Sequence, residues 1–250
     1  MEIIVICNRK GGCGKTTTAT ALFSYLDTVA KKNVLLIDAD GQCNSTYAMG
    51  MDVDKPNLHD ILTGRVDIQD AMQGYFRLFC SYVIAGSDLL SNIDNNVDHI
   101  SINWADELKK VEDMVDYIVI DTGLAYGRVT TLMLSCATKI VVPVMADVHS
   151  LQGLDGIADL VNEANPKTGV TGVLLLRYRG WLLIARRLKE LAQEKTDEMG
   201  IRLLGTVIRD GVVVAESATM QQGLYQYDHK LKSNVAQDYA RFAEELLEGK

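Results

Sequence analysis

Short β-branched runs alternate with longer stretches of helical periodicity along almost the whole chain. The runs cover residues 3–7, 34–38, 82–85, 117–121, 139–144, 172–178 and 203–208. Between them, apolar positions recur at helical spacing over residues 16–30, 104–114, 151–164, 183–198 and 235–247. A nearly continuous apolar strand is one buried on both faces. The pattern therefore predicts an α/β fold, a mostly parallel twisted sheet with helices on both sides. No repeat, low-complexity tract or glycine–serine linker divides residues 1–250, so one domain is expected. Sheets of this kind bind ligands beyond the carboxyl ends of their strands.

Composition narrows this picture. A hydrophobic share of 48% over 250 residues is enough to build a core and excludes disorder as the main state. No run approaches the roughly 18 consecutive apolar residues of a membrane span. The first residues, MEIIVICNRKGG, lack the basic region, apolar stretch and cleavage site of a signal peptide, so a cytoplasmic location is expected. The five cysteines (Cys7, Cys13, Cys43, Cys80, Cys136) form no CxxC pair and read as reduced thiols, not a disulfide frame or zinc site. A net charge of −8 argues against a protein coated by nucleic acid through bulk charge, although a local basic face remains open.

The strongest chemical signal follows the first strand. Residues 3–7 run into Asn8-Arg9-Lys10-Gly11-Gly12-Cys13-Gly14-Lys15-Thr16-Thr17 and then into a helix. Closely spaced glycines let backbone N–H groups turn inward as an anion nest, and the helix adds the positive end of its dipole. Lys15 would reach the β- and γ-phosphates, and the Thr16 hydroxyl would coordinate Mg²⁺. The ordinary GxxxxGK[ST] pattern needs glycine at position 9, where this chain has Arg9. It carries an additional lysine, Lys10, before the double glycine.

Lys10-Gly11-Gly12-Cys13-Gly14-Lys15-Thr16 resembles the deviant Walker A loop, KGGxGK[ST], of the ParA/Soj and MinD group of P-loop ATPases. The resemblance implies ATP and Mg²⁺ as cofactors, with Lys10, Gly11, Gly12, Cys13, Gly14, Lys15, Thr16 and Thr17 on the nucleotide. It also implies an ATP-bound homodimer in which Lys10 reaches the partner's nucleotide. An added cation at the γ-phosphate stabilises charge in phosphoryl transfer.

Asp38-Ala39-Asp40-Gly41-Gln42-Cys43-Asn44-Ser45-Thr46 resembles the group's DxDPQGNAT segment, with Gly41 and Cys43 as departures. By that likeness Asp38 lies near the metal and Asp40 orients the attacking water. Asp116-Tyr117-Ile118-Val119-Ile120-Asp121-Thr122 resembles YDYIIIDTPP and makes Asp121 a water-mediated Mg²⁺ ligand. Here Gly123-Leu124 replaces the two prolines, implying a looser switch loop. The implied catalytic set is Lys10, Lys15 and Asp40, and the metal set is Thr16, Asp38 and Asp121. Residues 57–64, 141–154 and 215–217 continue the likeness in order, closest to small ParA/Soj proteins without an N-terminal DNA-reading extension.

Two features bear on the partner. The C-terminal stretch 236–248 is acidic, which disfavours an anionic membrane. Residues 177–209 are net +4, and Arg186, Arg187 and Lys189 are the candidate contacts to non-specific DNA. The group's IPRNVRxxEA segment, which touches adenine, corresponds to residues 208–217. It puts Arg209 at the nucleotide, but Asp210 and Val213 stand where that segment has arginines. The expected function is a partitioning ATPase stimulated by a ParB-like protein and associated with the nucleoid. The alternative is a positioning switch that recruits protein cargo without DNA. A small-molecule kinase or ligase would need a substrate pocket that the sequence does not reveal.

Overall fold

The computed structural model describes residues 1–75, 80–123 and 127–248. Among these residues eight strands form one sheet: β1 Glu2–Ile6, β2 Val34–Ala39, β3 Gln73–Tyr75, β4 Ser81–Ile84, β5 Tyr117–Thr122, β6 Lys139–Met145, β7 Gly172–Tyr178 and β8 Leu203–Arg209. Their order is β3-β4-β2-β5-β1-β6-β7-β8. All neighbours pair in parallel except β3, which runs antiparallel to β4.

Strand periodicity divides the interior into two layers. Ile3, Val5, Leu35, Ile37, Ile118 and Ile120 face one core, packed with Met133, Ile157, Val161, Leu188 and Ala192. Ile4, Ile6, Leu36 and Val119 face the other, under Leu22, Phe23 and Leu26 of helix Lys15–Thr28 and Tyr239, Phe242 and Leu246 of helix Asn234–Glu248. The C-terminal stretch is thus an amphipathic helix docked on the sheet.

The helical periods hold with two adjustments. The stretch over 151–164 breaks at Gly153 into helices Val148–Gln152 and Leu154–Ala164. The one over 104–114 stops as a helix at Lys109. The antiparallel strand β3 and short helices such as Leu58–Leu62 were not legible, being too short to display a period. Register matters more for function. Asp38 on β2 lies directly beside Asp121 on the adjacent parallel strand β5, so two carboxylates meet at the carboxyl end of the sheet.

Candidate nucleotide and metal site

The loop between β1 and helix Lys15–Thr28 is fastened at its start. Asn8 Nδ2 donates to the Pro143 carbonyl (2.7 Å), and Asn8 Oδ1 accepts from the Lys10 N–H (3.0 Å). Gly14 is the helix N-cap, left-handed at φ +89°, and a Cβ there would strike the Leu176 side chain. The left-handed backbone is what calls for glycine here, while the Leu176 side chain would have to turn aside for a larger residue. Residues 11–17 line a cavity of about 470 Å³, with Asp40, Gln42 and Asn44 on one wall and Arg177, Arg209, Gly211 and Val214 on another. Lys15 is buried within it.

Asp38 and Asp121 are completely buried. Asp38 Oδ2 accepts from the Thr46 N–H (2.8 Å) and Oγ1 (2.7 Å), and Oδ1 accepts from the Asp40 N–H (3.1 Å). Thr46 Oγ1 in turn accepts from the Gly86 N–H (2.9 Å). Both Asp38 oxygens are therefore occupied in tying together the ends of β2 and β4. Asp121 differs. Its Oδ2 accepts from Ser45 Oγ (2.6 Å), while its buried Oδ1 has no protein partner. Burial, and after it the Asp38 charge, lifts the Asp121 carboxyl above the usual carboxylate range, and the Thr16 side chain faces it. Burial likewise raises Asp38.

A buried carboxylate oxygen without a protein partner, facing the Thr16 side chain, suits a bound cation. Among the described residues no group of three or more His, Cys, Asp or Glu could chelate a metal unaided. That fits Mg²⁺, which keeps waters and phosphate oxygens in its shell and takes only one or two protein oxygens. Asp40 lies on the cavity wall, its Oδ1 accepting from the Gln42 N–H (3.0 Å). Gly123 packs against that carboxylate, where an added Cβ would approach Oδ1 to 3.3 Å. Leu124, the other departure in this loop, lies outside the described residues.

Three of the expected residues are engaged by partners within this chain. Lys10 does not line the cavity. Its Nζ binds Asp147 Oδ1 (3.1 Å) and Ser150 Oγ (2.6 Å) in its own chain. Arg209 lines the cavity, but its guanidinium is turned onto Asp238, with Nε and Nη2 each donating at 2.7 Å. Arg187 pairs with Glu190 and Glu194, both at 3.1 Å. Arg186 and Lys189 carry no ion pair among the described residues. Cys13 and Cys43 are buried, and burial raises both thiols, Cys43 to about 11, so they fill space and stay protonated.

Sequence reasoning gave no role to Ser45, Thr46, Asp147 or Arg177. Ser45 and Thr46 were visible as the hydroxyl pair opening the helix after Asp40. Asp147 is recognisable as the N-cap three residues before Ser150, whose N–H it accepts (2.8 Å). Arg177 carried no local signal beyond its charge. It lines the cavity from a left-handed backbone, φ +52°, beside a register shift between β7 and β8.

A family model for an AAA domain, AAA_31, matches residues 1–170. The chain belongs to this family. Relatives extend the likeness past the matched part of the AAA_31 chain. Soj of Thermus thermophilus, named a chromosome-partitioning ATPase, is 29% identical over 98% of this chain and 94% of its own. Two solved structures are each 22% identical and show the fold alone. McdA of Cyanothece in an ATP complex has a TM-score of 0.82, covering 100% of this chain and 97% of that one. Cobyrinic acid a,c-diamide synthase of Mycobacterium smegmatis, with ADP and magnesium, has a TM-score of 0.80, covering 99% and 94%. Among the described residues of the AAA_31 chain, no helix is long and apolar enough to cross a membrane.

Proposed function

We propose that this chain is a Mg-ATP-dependent ATPase switch for DNA segregation. It forms a homodimer in the ATP state and binds DNA without sequence preference in that state. A ParB-like partner stimulates hydrolysis and so releases it. The observation that carries this reading is Lys10. Every residue from Gly11 to Thr17 lines the chain's own cavity, whereas Lys10 does not and is held by Asp147 and Ser150, from which it is released to serve a nucleotide held by another copy.

In this reading the N–H groups of Gly11 to Gly14, with Lys15, Thr16 and Thr17, hold the phosphates, and Arg177 and Arg209 border the rest of the nucleotide. Thr16 and Asp121 would hold Mg²⁺, which neutralises charge on the β- and γ-phosphate oxygens when bound. Asp38 keeps the Asp40 backbone and the Thr46 turn in place. Asp40 orients the attacking water. Arg186 and Lys189, with Arg187 once freed from its glutamates, face DNA phosphates. The protein works in the cytoplasm, on the nucleoid while DNA-bound, and not at a membrane.

The test is binding to a non-specific duplex without nucleotide, with ADP and with ATP, for wild type and Lys10→Ala at two salt concentrations. Binding that needs ATP, weakens with salt and disappears in the variant is expected. A second reading, a positioning switch that carries protein cargo, is favoured by one observation. Arg179, Arg187 and Arg209 are all engaged by acidic side chains, which lowers the charge left for phosphates. ATP-dependent dimers that ignore DNA at both salt concentrations would select it.

A further inference from the structure

Exposed apolar side chains that stand singly need no explanation. One group is contiguous. In the loop entering helix Leu183–Glu198, Trp181 is 73% exposed, Leu182 40%, Leu183 83% and Ile184 60%. Val212, 70% exposed, stands in the loop after β8. Arg179 Nε on Asp210 Oδ2 (3.0 Å) clamps these two loops together. The exposed area of the five side chains is on the order of 600 Å² per copy, against roughly 800 Å² per partner in a standard interface.

The position of this patch identifies what covers it. Both loops leave the carboxyl ends of their strands, and Arg177, Arg209 and Gly211 of the same segments line the nucleotide cavity. Val212 follows Gly211 at the edge of that cavity, and Trp181 stands beyond it in an adjoining cleft with Arg209, Thr206 and Arg241. Apolar side chains offer nothing to DNA phosphates. The helix that follows balances Arg186, Arg187, Lys189 and Lys195 with Glu190, Glu194, Asp197 and Glu198, so an anionic bilayer gains no net attraction from it. A two-fold interface, by contrast, sets a surface against its own copy. An apolar patch complements itself, whereas a charged one repels itself.

We infer that Trp181 to Ile184 and Val212 form the apolar contact that holds a second copy of this chain over the cavity rim in the ATP state. This rests on the ATP-dependent dimer proposed above and names the surface that stabilises it. Arg177, on the same segment, then stands between the nucleotide and the interface, so a filled cavity and a joined rim support each other.

The chain has two tryptophans, Trp181 and the buried Trp104, so a change in emission or quenching reports on Trp181. With Mg²⁺ and a slowly hydrolysed ATP analogue, the full chain should show a blue shift and a several-fold drop in acrylamide quenching, both growing with protein concentration and absent with ADP. In sedimentation velocity, Leu183→Ser combined with Val212→Ser should weaken the dimer at least 100-fold. Analogue binding to the monomer should stay within twofold, since both substituted side chains are exposed. A wild type that stays monomeric with the analogue overturns the dimer reading, and this inference with it. Equal dimers in wild type and variant, or Trp181 still quenched in a formed dimer, overturn this inference alone. So does sedimentation with phosphatidylglycerol vesicles that is lost in the variant while its dimer persists.

Discussion

Arg209 distinguishes a nucleotide contact from a structural clamp. Asp238 is 3% exposed and accepts from Arg209 Nε, Nη2 and the Arg209 N–H, the last at 3.0 Å. Arg209→Ala removes both guanidinium bonds to Asp238, and a third to the Asn234 carbonyl, and leaves a carboxylate buried on helix Asn234–Glu248. Breaking a buried ion pair from one side costs about 3–5 kcal/mol. The low end applies here, because the Arg209 side chain is 35% exposed and Arg241, at 3.5 Å, remains beside Asp238. A loss of about 3 kcal/mol lowers the melting temperature of a chain this size by roughly 6–12 °C. Adding Asp238→Asn should return most of that loss, since the charge left unpaired is then gone. ATP-analogue affinity, measured by titration calorimetry below the melting transition, should change less than about threefold, under 1 kcal/mol. A variant that melts like wild type but binds the analogue tenfold more weakly would refute the clamp and return Arg209 to the nucleotide.

Lys15→Ala should abolish detectable ATP binding, and wild-type affinity in equilibrium titration would contradict the phosphate role. Asp40→Ala should bind ATP normally but hydrolyse it at least about 100-fold more slowly; unchanged steady-state turnover would remove Asp40 from the reaction. Thr46→Val leaves Asp38 one donor short and the Gly86 N–H without an acceptor. A loss of roughly 1–3 kcal/mol in urea unfolding is expected, and an unchanged midpoint would mean that Asp38 does not depend on that hydroxyl.

The parts of the site legible in the sequence are those built from neighbours in the chain. The loop from Lys10 to Thr17 declares itself because glycines, lysine and threonine lie between a strand and a helix, and Asp38 and Asp121 stand out as acids ending apolar runs. The alternating pattern also carried the seven parallel strands, since each long apolar run has to be covered on both faces. What stayed hidden depends on distance along the chain. Arg209 looks like a free cation until Asp238 is seen beside it. Lys10 looks free until Asp147, 137 residues later, is seen to accept from it. Gly153 ends one helix and starts another without interrupting the apolar period, so only the backbone reveals the break.

The outer margin of β8 has its own consequence. Glu245 accepts from the N–H groups of Gly205 (2.8 Å) and Thr206 (2.9 Å), and Arg202 holds that carboxylate at 2.7 Å. A bare strand margin invites another chain to zip onto it, and this one has the Gly205 and Thr206 donors already taken. A polymer of this protein therefore cannot grow by sheet extension along β8 unless Glu245 is first pried away. Assembly on this side of the sheet is left to loops and helices, contacts that can let go within one turnover cycle.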